Sequence, residues 1–219
     1  MPCAQTISLS APGGPRLAAL AWDAPADAPA VLIVPGLSSR KENHVDFGDA
    51  LAEAGLGAMA LDLRGHGDSE GALDVDVLDD VLAGLTALAG RGHTVLGVRG
   101  SSMGALLALH AAAHDRRVRA VVAICTARPE GLATLVEDPW PMAFRLEPVV
   151  EHADGVARGY WHAMGDERVP FISSVELAGV TADPKTLRIV DGGDHGSLQH
   201  DPAVVEQTIA FLLEHLVAP

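Results

Sequence analysis

The feature of this sequence that most limits its fold is an alternation of short apolar runs with segments of helical spacing. The apolar runs lie at residues 31–34, 58–63, 95–98, 118–124, 159–164 and 187–190. Segments in which apolar residues recur every three or four positions lie between several of them, and an amphipathic segment covers 205–216. Because the later runs lack period-two alternation, they favour parallel strands that are buried on both faces. We therefore expect an α/β fold.

Two further segments, 5–10 and 17–22, are typical of strands and are joined by Pro12-Gly13-Gly14-Pro15, which predicts a hairpin at the start of the fold. Together these patterns predict a mostly parallel central sheet of about eight strands with helices on both faces. The chain of 219 residues is 48% hydrophobic, which is enough for one sizeable core. We expect a single domain over 1–219.

The charge balance excludes several classes of partner. Fifteen Lys and Arg against 29 Asp and Glu give a net charge of −14. Such a field repels phosphate backbones and anionic lipid surfaces, so we expect neither nucleic-acid binding nor polybasic membrane binding. No apolar run approaches the roughly 18 residues that a membrane span needs.

Localisation is predicted from two weak signals. The segment 17–22 imitates the core of a signal peptide, but it has only six apolar residues and Asp23 follows it. The two cysteines, Cys3 and Cys125, cannot form a disulfide framework. We therefore expect a cytoplasmic protein, and the sequence predicts no oligomeric state.

A nucleophile motif follows the apolar run 95–98. Gly100-Ser101-Ser102-Met103-Gly104 has the form G-x-S-x-G and leads into a small-residue helix predicted at 103–113. In a strand–turn–helix of this kind the central serine is strained, and glycines two positions away relieve the crowding. Only Ser102 has glycine on both sides at that spacing, so we expect Ser102 to be the nucleophile.

With this motif in place, nearly the whole chain resembles the α/β-hydrolase family. The resemblance implies that an acid and then a histidine follow the nucleophile, each in a loop after a later strand. Asp166, in Gly165-Asp166-Glu167-Arg168-Val169-Pro170, is similar to the acid of the family's D-x-x-V-P loop, with Glu167 as its rival. His195, in a glycine-rich loop before the terminal helix, is the implied base, with His200 as the alternative.

These residues predict acyl transfer. His195 takes the proton of Ser102 as it attacks an acyl carbon, and Asp166 holds the imidazole. The oxyanion needs fixed donors, for which we expect the backbone N–H groups of Met103 and Leu37. The family commonly has histidines where this chain has Pro35 and Ser101.

The interval 126–158 lies where the family has an insertion that selects the substrate. We expect it to form a small cap. Because it is short, we expect an open site that takes short-chain or accessible esters, including aryl or hydroxycinnamoyl esters and monoacylglycerols. Trp140, Met142 and Phe144 either form a small apolar substrate wall or pack onto the sheet. The loop 36–44, with Lys41, Glu42 and Asn43, faintly resembles cinnamoyl-esterase-like hydrolases.

Other functions stay open. A thioesterase, an amidase or a perhydrolase uses the same three residues, and a non-catalytic binding member normally lacks one of them. Serine as the nucleophile disfavours the aspartate- and cysteine-based branches of the family. Ester hydrolysis of a small-molecule substrate, without a cofactor, is the main prediction.

Several other patterns resemble ligand-binding motifs, but we interpret them as structural. Residues 55–60 match a relaxed dinucleotide fingerprint but open a strand instead of a helix. His110 and His114 lie four residues apart on a helix, but no third metal ligand is evident, so we interpret them as cations near its C-terminus. Acidic side chains precede and begin the helix predicted near residue 75, and we interpret them as solvated: Asp74, Asp76, Asp79 and Asp80. No metal site is predicted.

Overall fold

The computed structural model describes residues 4–151 and 155–217, so Cys3 lies outside the described residues. The strands are β1 (Gln5–Ser10), β2 (Arg16–Trp22), β3 (Ala30–Val34), β4 (Gly57–Leu61), β5 (Leu96–Ser101), β6 (Val118–Ile124), β7 (Ala157–Ala163) and β8 (Lys185–Val190). They form one sheet in the order β1-β2-β4-β3-β5-β6-β7-β8. Strand β2 is antiparallel to β1 and β4, and the other pairs are parallel. The predicted hairpin and mostly parallel eight-stranded sheet are confirmed.

Helices cover both faces of the sheet, as predicted. In the described ranges they are α1 (Val45–Glu53), α2 (Val77–Gly90), α3 (Met103–His114), α4 (Pro129–Ala133), α5 (Glu147–Val150), α6 (Ile172–Val180) and α7 (Pro202–Leu216). None of these is both long and apolar enough to cross a bilayer. Helices α4, α5 and α6 were not predicted, because their short segments carry no sustained helical pattern.

The centre of the sheet is buried on both sides. Every residue of β3 and of β4 is buried. Val31 and Ile33 belong to the core shared with α1 and α7, whereas Leu32 and Val34 belong to the core shared with α2 and α3. This division follows from the two-residue repeat of a strand, and it explains why β3 is apolar throughout. By contrast, none of the six residues of the edge strand β8 is buried.

The start of α2 differs from its prediction. Asp80 is fully buried, and its carboxylate contacts the Arg64 guanidinium at 2.8 Å and the Arg64 backbone N–H at 2.8 Å. Asp74 lies 2.7 Å from the same guanidinium. The interpretation of the four aspartates as solvated is therefore wrong for Asp80, because its partner comes from a loop 16 residues earlier in the chain.

His110 also departs from its prediction. It is 7% exposed and lies edge-on to Phe144, with ring centres 5.1 Å apart. Burial lowers the pKa of His110 to about 4. The interpretation of His110 as a cation at the end of α3 is therefore wrong, because the segment after β6 covers this side of the helix.

Candidate active site

The predicted nucleophile lies between β5 and α3 in a strained conformation. Ser102 has φ 55° and ψ −118°, in a region that non-glycine residues rarely adopt. Its backbone N–H donates to the Ile124 carbonyl at 2.9 Å, which ties the turn to the end of β6. A Cβ on Gly100 would lie 2.2 Å from the Gly104 carbonyl oxygen. The local sequence thus forms the sharp strand–turn–helix that its motif predicts.

The two later loops bring their predicted residues together. Nδ1 of His195 lies 2.8 Å from Oδ2 of Asp166. The Asp166 side chain is fully buried, and that of His195 is 11% exposed. Glu167, the rival acid, is exposed, and its carboxylate lies 3.4 Å from the backbone N–H of His195 instead of its ring. The alternative base, His200, is paired with Asp46 at 2.8 Å.

Hydrogen bonds converge on both oxygens of Asp166. Oδ1 accepts from the backbone N–H groups of Arg168 and Val169 at 2.9 and 2.8 Å. Oδ2 faces His195 and also His162, whose Nε2 lies 3.1 Å away. Burial opposes ionisation, but the hydrogen bonds from His162, His195, Val169 and Arg168 outweigh it and hold the Asp166 pKa well below its usual range. Asp166 is therefore a carboxylate at neutral pH.

His162 is a site residue that the sequence analysis missed. It lies within β7, and its side chain is fully buried. A single histidine in an apolar run gives no sign of its partners. The available signal was its spacing, since His162 precedes Asp166 by four residues at the end of a strand.

Ser102 and His195 line one open cleft of about 1020 Å³. Apolar residues from three segments, which follow β3, β6 and β7, form part of its wall: Leu37, Ala127, Leu132, Leu135, Val169 and Pro170. The lining also carries hydroxyl and amide groups, together with the Arg128 and Arg168 side chains. The cleft therefore offers both apolar surface and hydrogen-bonding groups to a ligand.

The predicted substrate wall lies elsewhere. Trp140 and Phe144 are each 6% exposed and pack edge-to-face, with ring centres 5.7 Å apart. Met142 is 47% exposed. None of the three lines the cleft. Of the two arrangements that the sequence left open, Trp140 and Phe144 adopt the packed one, because they fill the core over α3 instead of facing the nucleophile.

The loop after β3 lies against the nucleophile turn. A Cβ on Gly36 would lie 3.1 Å from the Ser101 carbonyl oxygen and 3.3 Å from the Ser102 Cβ, so only glycine fits there comfortably. Leu37 follows and lines the cleft. Met103 is the first residue of α3, so its backbone N–H has no acceptor within the helix. Met103 thus follows Ser102 in the chain, and Leu37 follows a glycine that lies against the Ser102 turn.

An ion cluster around the buried Lys41 and Asp62 holds the far end of this loop. The Lys41 ammonium, which is 1% exposed, lies 2.7 Å from Asp62, 2.6 Å from Asp68 and 2.8 Å from Glu42. The Lys41 backbone N–H donates to Asp62 at 2.7 Å. Burial lowers the Lys41 pKa, but hydrogen bonds to the three carboxylates outweigh this effect and raise it above its usual value. The cluster holds in place the end of the loop after β3, just before α1 begins.

One group of side chains has the spacing of a metal site. A ligand atom from each of Cys125, Asp166 and His195 lies within 4.8 Å of the other two. Burial raises the pKa of the Cys125 thiol, so the thiolate that a metal requires is disfavoured. Asp166 and His195 already contact each other, and the group fits a hydrogen-bonded pair with a thiol beside it.

The comparisons with known proteins agree with this architecture. Est1E from Butyrivibrio proteoclasticus, in a structure with ferulic acid bound, has a TM-score of 0.84 at 23% identity, over 96% of this chain and 99% of that one. The α/β hydrolase GrgF from Penicillium sp. has a TM-score of 0.85 at 17% identity, over 98% and 99%. An esterase from Pyrococcus furiosus has a TM-score of 0.79 at 18% identity, over 98% and 92%. At these identities the likeness shows the fold.

Sequence comparison identifies the family. A curated thiohydrolase from Eupenicillium brefeldianum is 34% identical over 115 residues, which are 48% of this chain and 37% of that protein. The chain thus matches little more than a third of the length of this relative. Residues 25–150 match the family model described as serine aminopeptidase, S33. The chain belongs to the S33 serine aminopeptidase family, and its fold is that of the α/β-hydrolases.

Proposed function

We propose that this protein hydrolyses carboxylic esters through an acyl-enzyme on Ser102. The observation that carries the proposal is the 2.8 Å contact between His195 and the buried Asp166, in a cleft that His195 shares with the strained Ser102. A nucleophile, a base and an orienting carboxylate at one cleft are the groups that acyl transfer requires.

The proposed reaction assigns a separate role to each group. Because Nδ1 of His195 is engaged by Asp166, Nε2 is the nitrogen that takes the Ser102 proton as Oγ attacks the acyl carbon. The N–H groups of Leu37 and Met103 stabilise the oxyanion, each contributing about 3 kcal/mol to lowering the barrier. His195 then returns the proton to the leaving alcohol, and water releases the acid by the reverse sequence.

The proposed substrates are short-chain or accessible acyl and aryl esters. The cleft of about 1020 Å³ is open, and the segment 126–158 contributes Ala127, Arg128 and part of α4 to its wall instead of a large insertion. The apolar lining suits an acyl or aryl group, and the hydroxyl and amide groups suit a polar substituent. The ferulic acid bound to Est1E, whose fold is similar, is consistent with a hydroxycinnamoyl group of this kind.

A thioesterase is the second candidate. The match to the thiohydrolase favours it, although that match covers 48% of this chain. The same three side chains serve both reactions, since only the leaving atom differs. Hydrolysis of p-nitrophenyl butyrate and S-phenyl thiobutyrate, measured as kcat/KM, separates the two.

The experiment that tests the main proposal is labelling with a fluorophosphonate. The wild type and Ser101→Ala should be labelled and should hydrolyse p-nitrophenyl butyrate, while Ser102→Ala should do neither. Ser101→Ala is the matched control, because it removes the neighbouring hydroxyl. Labelling or turnover that persists in Ser102→Ala would overturn the proposal. The p-nitrophenyl esters of acetate and butyrate should have higher kcat/KM than the palmitate ester. The reverse order would refute the proposed preference for short-chain esters.

A further inference from the structure

A second imidazole contacts the carboxylate that His195 uses. Nε2 of His162 lies 3.1 Å from Oδ2 of Asp166 and 2.9 Å from the carbonyl oxygen of Val169. Its Nδ1 lies 2.7 Å from the hydroxyl of Ser174, in α6. His162 is fully buried, so these contacts replace water for both ring nitrogens.

The partners of His162 decide which nitrogen carries the proton. A carbonyl oxygen only accepts, so Nε2 is protonated and its N–H is shared between Val169 and Asp166. In the neutral ring Nδ1 is then the acceptor, and the Ser174 hydroxyl donates to it. The order of donation therefore runs from Ser174 to His162 and from His162 to Asp166.

We propose that His162 is a positioning residue for Asp166, and this inference rests on the proposed role of Asp166 in orienting His195. The two carboxylate oxygens are held by different groups. Oδ1 is held by the N–H groups of Arg168 and Val169, and Oδ2 by His162 and His195. His162 thus supplies the only ring N–H, among the described residues, that holds Oδ2 in place independently of His195.

His162 also joins the acid loop to the elements on either side. The residue belongs to β7, Ser174 to α6, and Val169 to the loop between them. Its hydrogen bond to the Val169 carbonyl fixes the segment whose N–H groups hold Oδ1. Loss of the ring therefore removes one contact to Oδ2 and one hydrogen bond that fixes the segment holding Oδ1. A displacement of about 1 Å in catalytic geometry costs on the order of 10²-fold in rate.

The test compares His162→Leu with His162→Gln, whose Nε2 restores a donor at a similar reach. We expect His162→Leu to lower kcat by on the order of 10²-fold, per site titrated with fluorophosphonate, while KM for p-nitrophenyl butyrate changes less than about twofold. His162→Gln should recover at least about tenfold of that loss. Ser174→Ala, which keeps the ring but removes its donor, should lower kcat by several fold.

His110→Leu is the matched control, since it also removes a buried imidazole but lies outside the cleft. It should retain wild-type kcat. Unchanged kcat per titrated site in both His162→Leu and Ser174→Ala would overturn the inference, as would equal losses in His162→Leu and His162→Gln. If His162→Leu does not fold, the kcat values of Ser174→Ala and His162→Gln per titrated site test the inference instead. Activity that persists in Ser102→Ala would instead refute the proposed function, so the two failures are distinguishable.

Discussion

The Cβ that Gly104 lacks would lie 2.1 Å from the carbonyl oxygen of Val34, the last residue of β3. The second residue of α3 is therefore pressed against the end of a neighbouring strand. This contact places the start of α3, with Ser102 before it, beside the loop that carries Leu37. The glycine of the nucleophile motif is required by this packing as well as by the turn itself.

Gly104→Ala should destabilise the protein, since backbone and helix must separate to admit one methyl group. We expect a loss of about 1–3 kcal/mol in the free energy of unfolding, measured by urea denaturation, together with lower activity. Gly90→Ala is the control, because its Cβ would meet nothing within 4 Å at the end of α2. That change should leave stability equal or raise it by up to about 1 kcal/mol. Equal stabilities for the two variants would contradict the close approach.

Asp166→Asn should lower kcat by on the order of 10³- to 10⁴-fold with little change in KM, because the amide no longer holds His195 in the required tautomer. Steady-state kinetics on p-nitrophenyl butyrate measures this. Glu167→Gln changes the neighbouring carboxylate in the same way and should stay within about threefold of wild type. A larger loss in Glu167→Gln than in Asp166→Asn would assign the acid to Glu167.

Asp80→Asn should cost about 3–5 kcal/mol of stability, because the buried Arg64 guanidinium loses its buried carboxylate and keeps the exposed Asp74 as its remaining close acidic partner. Glu70→Gln removes the acid of an exposed pair with Arg16, whose side chains are 49% and 60% exposed, and should cost at most about 1 kcal/mol. Urea denaturation of both variants gives the comparison. Losses of similar size would show that burial adds nothing to the Arg64–Asp80 pair.

His110 should make the protein less stable as the pH falls. Burial lowers the His110 pKa from 6.5 to about 4. In the unfolded chain His110 therefore becomes protonated below about pH 6.5, whereas in the folded protein it stays neutral down to about pH 4. Stability is thus lost between these values, by about 3 kcal/mol for this residue. In His110→Leu the free energy of unfolding should fall less steeply from pH 7 to pH 4. An unchanged slope would contradict the assignment.

The parts of the structure that the sequence predicted are those set by local pattern. The apolar runs become strands because each is long enough to cross the sheet. The strained turn at Ser102 is predictable because its glycine spacing meets a steric need within five residues. Trp140 and Phe144 could not be placed in this way. Whether an aromatic side chain in an irregular segment faces a cleft or a core depends on which distant surface, here α3, lies beneath it.

The contacts between buried polar side chains could not be predicted from the sequence either. Asp80 and His162 each meet a side chain from another element, so their roles depend on the assembled sheet. Sequence spacing indicates only that an acidic group begins a helix or that a histidine lies in a strand. The pair of Asp166 and His195 was predictable because a family resemblance supplied the order of the loops, which the residues alone do not.

The exposed edge strand β8 has a consequence for how activity is lost on heating. His195 follows β8, which pairs with β7 alone among the described strands and buries none of its residues, whereas Ser102 follows β5 at the centre of the sheet. Edge elements open at lower free energy than central ones. We expect the proposed esterase activity to disappear several degrees below the far-UV circular dichroism transition, and coincident curves would contradict this. The protein would then pass through a state in which the turn at Ser102 is still folded and the loop that carries His195 has already detached from the sheet.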